Sequence, residues 1–276
     1  MSCRAQNAAI GRLKRSAGKH LFYTLLGAVL LPPAASASTI IVYWTTTAIY
    51  VATDSKYVSK VYSSEEGERT EASTGCKIAS SGPVYFTYAG VSGSTQSFVR
   101  AEIDRLPRNL APEAALGLLI EAVKAPFLQA VEEMQQATES TFAEMKMGKP
   151  VLSIAALGRS GQALEVVTRT IEAVPGPDGQ LAVRVTTPVC GSRCKSTGYF
   201  LTGLFDRVHA KLRVHRDWLG SHTEERLAEL VAQQAAATPE LVGGPAAILR
   251  VDAGGATWVA SGACQIGVES ASAAVH

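Results

Sequence analysis

The β-type segments of this chain come in blocks rather than in alternation with helices, and that order limits the fold more than any other feature. The first block opens with "TIIVYWT" and "AIYVATD", two β-branched and aromatic runs separated by "TT", a hairpin-like arrangement. A polar, acidic stretch, "SSEEGERTEASTG", then reads as an exposed loop. "CKIA" and "VYFTYAGVSG" follow as two more strands, with Ser81-Gly82-Pro83 as the turn between them. Four strands so closely spaced suggest one antiparallel sheet.

The middle of the chain is helical. "STQSFVRAEIDRL" (94–106) has Ser94 or Thr95 as its N-cap and closes at Pro107. A longer helical region runs from Pro112 to Lys149, interrupted by Pro126. Beyond that proline Phe127, Val131, Met134, Thr138, Phe142 and Met145 recur at spacings of three and four, an apolar stripe that reads as core. Strand character returns with "VLSIAAL", "ALEVVTRTIEAV" and "LAVRVTTPV". Two helices, "GLFDRVHAKLRVH" and "TEERLAELVAQQAAA", come next, and "GGPAAILRVDAGGATWVASG" closes the chain as a hairpin. Segregated runs of this kind favour an α+β domain, here with two sheets sandwiched between helical layers.

Residues 1–37 have the tripartite order of a secretory leader. A basic region reaches Lys19, the apolar run "LFYTLLGAVLL" follows, and Pro-Pro leads to Ala35-Ser36-Ala37. The apolar run falls well short of the roughly 20 residues of a spanning helix, and no other segment reads as long and apolar enough to cross a membrane. The expectation is therefore one domain, 38–276, that is exported, periplasmic or extracellular, and free of the membrane once the leader is removed. The leader holds five basic residues and no acid, so the remaining 21 basic residues face 24 acidic ones. A body near −3 has no basic stripe for nucleic acid. Removing the leader also leaves four cysteines, Cys76, Cys190, Cys194 and Cys264. "CGSRC" lacks the companion motif of a zinc site, and a Cys190–Cys194 disulfide is the preferred reading.

No GxSxG, P-loop or HExxH motif is present. His209, His215 and His222 lie in a charged helical region without an adjacent Ser or Cys motif, and read as solvated residues rather than general bases. A terminal nucleophile needs no histidine. A cut after Ala37 exposes Ser38, with Thr39 behind it. The α-amino group, with an ordinary pKa of about 8, can act as base for its own residue's hydroxyl. Such a site still needs a cation, a carboxylate to hold it, and an N–H for the oxyanion.

The succession strand, strand, "TDS", loop, "CKI", strand, "YAG" resembles the first half of proteasome β-type subunits and their bacterial peptidase relatives, the N-terminal nucleophile (Ntn) hydrolases. The closing "VGGPAAILRVDAGGATWV" is similar to that family's last helix, GGP, strand and strand. The resemblance spans most of 38–260. It implies a four-layer αββα sandwich and cleavage of an amide, in a peptide or a small molecule, with no metal or organic cofactor. Homo-oligomers are among the assemblies it allows. Matched by position, Ser38 falls on the nucleophile, Asp54 on the family aspartate, Ser55 on the serine after it, Lys77 on the lysine and Gly90 on the oxyanion glycine. Ser38 replaces the threonine usual there, Ala37 replaces the glycine that precedes the usual self-cleavage, and the loop before Lys77 is several residues longer. The alternative is a secreted binding or assembly protein that keeps the fold without catalysis.

Overall fold

The computed structural model describes residues 38–63, 67–91, 98–137, 151–177, 180–187, 197–214 and 218–264. All of its elements belong to one unit, Pro33–His276. The strands are β1 (Thr39–Trp44), β2 (Ala48–Thr53), β3 (Lys56–Ser63), β4 (Gly67–Thr74), β5 (Ile78–Ser81) and β6 (Val84–Gly90), followed by helices α1 (Phe98–Arg105) and α2 (Pro112–Ala137). After them come β7 (Val151–Ser160), β8 (Ala163–Pro175), β9 (Leu181–Thr186) and β10 (Gly198–Gly203). Then follow α3 (Asp206–Val214), a 3₁₀ turn (Trp218–Gly220), α4 (Thr223–Ala237), β11 (Ala247–Asp252) and β12 (Gly255–Ala260). The fold is mixed α+β, with four α-helices among the described residues. The proposed leader and the Cys190–Cys194 pair lie outside those residues.

Two antiparallel five-stranded sheets form, in the orders β10-β1-β2-β11-β12 and β5-β6-β7-β8-β9. The four early strands do not share one sheet as expected. β1 and β2 pair with each other, but their outer neighbours are β10 and β11 from the far end of the chain, while β5 and β6 begin the second sheet. Closeness in sequence favours a hairpin but does not choose its other neighbours. The polar stretch after β2 also departs from expectation. It contributes β4, which pairs antiparallel with β3 from Lys56↔Thr74 to Ser63↔Gly67. The loop reading rested on polarity, but ladder hydrogen bonds join backbones, and a ribbon outside both sheets needs no apolar face.

The central strands of the first sheet, β1 and β2, are covered on both faces. In β1, Ile40 and Val42 join a cluster with Ile78, Ala89, Ala155 and Leu157 of the second sheet. Ile41 and Tyr43 point the other way, among Val208, Leu212, Leu227, Leu230 and Val231 of α3 and α4. Successive strand residues face opposite sides, so a continuous apolar run marks a strand covered on both. The second sheet turns Phe86, Leu152 and Ile154 toward Val99, Ile103, Leu116, Leu119 and Phe127 of α1 and α2.

α2 does not break at Pro126. An interior proline costs roughly 3 kcal/mol through a lost backbone bond and a clash. Val123, Phe127 and Val131 lie on either side of it, all fully or nearly fully buried, and their packing offsets that cost. Residues Pro112–Glu133 are by length and composition also apolar enough to cross a membrane, contrary to the sequence reading. One face of this helix is core of the domain.

Candidate active site

The antiparallel ladder of β1 and β2 ends at Ile40↔Thr53, which brings the next residues of each strand, Thr39 and Asp54, together. The Asp54 N–H donates to the Thr39 carbonyl at 3.3 Å. In return the Thr39 N–H donates to Asp54 Oδ1 at 2.8 Å. Lys77, just ahead of β5, reaches across from the second sheet, and its Nζ donates to the same Oδ1 at 2.8 Å. The other carboxylate oxygen accepts from the N–H of Lys56 at 3.1 Å and of Gly243 at 3.3 Å. Asp54 is 0% and Lys77 2% exposed, so this ion pair sits out of water.

The loop after α4 clasps the strand end from outside. The Gly243 carbonyl accepts from both Ser55 N–H and Lys56 N–H at 3.0 Å, and the Ser55 hydroxyl donates to the Pro245 carbonyl. Ser55 therefore serves as a brace between the β2 end and the GGP turn.

The two candidate nucleophiles are differently placed. The Thr39 hydroxyl donates to the Leu204 carbonyl at 2.8 Å. Its strand neighbour on the same face, Ile41, lies against α3 and α4. The Ser38 carbonyl accepts from Leu204 N–H at 2.7 Å, which carries the pairing with β10 one residue beyond the strand. Alternation then directs the Ser38 side chain to the other face, that of Ile40 and the second sheet. Two donors each 2.8 Å from one oxygen are at most about 5.6 Å apart, so Lys77 Nζ stands within that reach of the amide nitrogen bonded to Ser38.

Two glycines fit the backbone around this point. Gly203 (φ 82°) opposes Thr39, and a Cβ there would fall 1.8 Å from the Ser38 carbonyl oxygen and 3.6 Å from Ala89 Cβ. Ser38 and the end of β6 thus meet at Gly203. Gly90, next after Ala89, has φ 123°, and a Cβ on it would lie 2.0 Å from the Val151 carbonyl oxygen. Only glycine accepts both constraints.

Asp54 and Lys77 are thus paired beside the backbone that follows Ser38, and Gly90 lies at the end of β6 next to Ala89, the residue that Gly203 sets near Ser38. The backbone donors Lys56 N–H and Gly243 N–H, the brace at Ser55, and the Cys76–Cys264 disulfide beside Lys77 escaped the sequence reading. Only the even cysteine count hinted at the last of these. His209 is half-buried and edge-on to Phe205, and His222 is exposed just ahead of α4, so neither joins the site. His215 lies outside the described residues. Among those residues no group of three or more His, Cys, Asp or Glu side chains could hold a metal ion.

Burial pushes the Lys77 ammonium down to about 8, against the opposing pull of Asp54. The unfolded chain therefore holds this proton more tightly than the folded one. Stability should rise as pH climbs from about 8 toward the ordinary lysine value of 10.5, and be lost again as pH falls through 8. Denaturant melts across that window should show the rise in the native protein and not in Lys77→Met.

No protein-family model matches the chain, and no curated protein matches it.

Proposed function

We propose that the chain is an exported Ntn-hydrolase of four-layer αββα architecture that cleaves an amide bond in a peptide or small molecule. Removal of residues 1–37 frees Ser38 as nucleophile, and its own amine is the base. Lys77 favours the ionised hydroxyl, Asp54 holds Lys77, and the Gly90 N–H stabilises the oxyanion. The observation that carries this reading is the single carboxylate oxygen shared by the Lys77 ammonium and the amide that follows Ser38. A buried lysine held there by a buried aspartate is costly to desolvate, and perturbed groups of this kind cluster at functional sites. The order of the apolar clusters, helices to sheet, sheet to sheet, and sheet to helices, supports the proposed architecture.

Protein recovered from the producing cell should begin at Ser38 by intact mass. It should take a covalent label from an epoxyketone or β-lactone probe. Ser38→Ala should eliminate the label, Thr39→Ala should largely retain it, and Ser38→Thr should keep partial activity. The Thr39 hydroxyl is committed to Leu204, and one residue along a strand displaces a side chain by about 3.3 Å and reverses its face. A label lost in Thr39→Ala but kept in Ser38→Ala would move the nucleophile by one residue. A mature protein that starts at neither Ser38 nor Thr39, or never labels and cleaves no amide, rejects the mechanism in favour of a binding or assembly role.

A further inference from the structure

The Lys77 ammonium has a second neighbour that the proposed mechanism does not use. Tyr57, the second residue of β3, lays its ring over Nζ, 5.1 Å from the ring centre. That is inside the roughly 6 Å range in which the negative face of an aromatic ring attracts a cation. The ring is fixed at its far end, because the Tyr57 hydroxyl donates to the Cys76 carbonyl at 3.0 Å. Cys76 is the residue before Lys77, and the disulfide to Cys264 ties it down in turn. Space for the ring comes from Gly75, where a Cβ would come within 2.9 Å of the ring edge. The Gly75 N–H is itself bonded to the Ser55 carbonyl at 2.9 Å, beside Asp54.

These contacts form a short closed frame: Asp54 to Lys77, Lys77 to the Tyr57 ring, the Tyr57 hydroxyl to Cys76, and Cys76 back to Lys77. We propose that Tyr57 is a positioning residue, its ring face holding the Lys77 ammonium against Asp54 and its hydroxyl anchoring that ring to the Cys76 carbonyl. The ring closes one side of the ammonium to water while returning part of the lost solvation through its own electrons. Among the described residues, the charged and titratable groups that act on this pair include Asp54, Tyr88 and Arg100. Burial first, then Tyr88 and Asp54, drive the Tyr57 phenol up against the pull of Arg100, so the ring stays neutral wherever Lys77 titrates. The inference rests on the hydrolase reading for what Lys77 does, and on geometry alone for how Lys77 is held.

The test separates the two. The protein is prepared with lysine carrying ¹³C at the ε-carbon, and the Lys77 signal is assigned by its loss in Lys77→Arg. Its titration midpoint is followed by NMR in the native protein and in Tyr57→Phe. It is then followed with a ring-trifluorinated phenylalanine at position 57, which keeps the shape and weakens the negative ring face. Tyr57→Phe, which keeps the ring face but frees its far end from the Cys76 carbonyl, should lower the midpoint by a smaller amount than the fluorinated ring does. A midpoint identical to the native one would overturn the anchoring role of the hydroxyl. The fluorinated ring should lower the midpoint by about half a unit to one and a half units, since the charged form loses its aromatic partner. The alkaline limb of turnover should move the same way. An unchanged or raised midpoint with the fluorinated ring overturns the proposal. A lowered midpoint in a protein that turns over no amide upholds the positioning role and sinks only the hydrolase reading.

Discussion

Asp54→Asn should unfold this protein more readily by about 3–5 kcal/mol, although the two side chains have nearly the same shape. Four donors converge on the carboxylate, the Thr39 N–H and Lys77 Nζ on one oxygen and the Lys56 and Gly243 N–H groups on the other. An ionised carboxylate offers about four acceptor sites and no donor, which matches that demand in full. Asparagine keeps one oxygen and presents an NH₂ in place of the other. Whichever way it turns, two donors face a donor, and the buried Lys77 loses its counter-charge. Equilibrium denaturation at pH 7 should show the full loss, and under the proposed hydrolase reading amide turnover should vanish as well, because Lys77 is no longer held. An asparagine variant as stable as the native protein would mean that the four contacts contribute little. It would also remove the basis for assigning Asp54 a holding role.

The second large effect concerns Cys76 and Cys264. Their bond closes a loop with a sequence separation of 188, most of the described chain. Cross-links over long loops restrict the unfolded ensemble most, and the loss on removal is about 2–5 kcal/mol. For a domain of this size that corresponds to a melting temperature lower by on the order of 10 °C. Calorimetry of Cys76→Ala/Cys264→Ala beside the native protein reads this directly, and a reductant should bring the native curve toward that of the variant. A melting temperature that ignores both the reductant and the substitutions would show that the fold does not depend on the bridge.

The parts of the site legible in the sequence were those written in side-chain identity and local pattern. A threonine-rich strand pair ending in "TDS", and "CKI" opening another strand, set an aspartate and a lysine at strand ends, where the two now meet. The apolar runs of β1, β7 and β8 marked strands packed in the core for the same reason. What stayed hidden depends on partners remote in the chain. The Gly243 N–H on Asp54 is a backbone donor, and any residue there but proline supplies one. β10, the strand that sets the Ser38 carbonyl, is the short "GYFLTG" beside a cysteine-containing stretch, and nothing local links it to β1. Tyr57 sits at the root of a ribbon whose polarity resembles a loop, so its reach to Lys77 had no local sign. The unbroken α2 shows tertiary packing overriding a local breaker.

Every donor that fixes Asp54 belongs to Thr39 or to a residue after it, and the Leu204 N–H that holds the Ser38 carbonyl also lies downstream of a cut at Ala37. Cutting that peptide bond would break none of these bonds. It would only turn one amide nitrogen into an amine. On the hydrolase reading, the precursor would then hold these contacts already formed among the described residues and still be silent. Its onset of activity would keep time with the processing step rather than with any later rearrangement. A burst of turnover synchronous with leader loss, and without a lag, is the kinetic signature that such a pre-assembled site would leave.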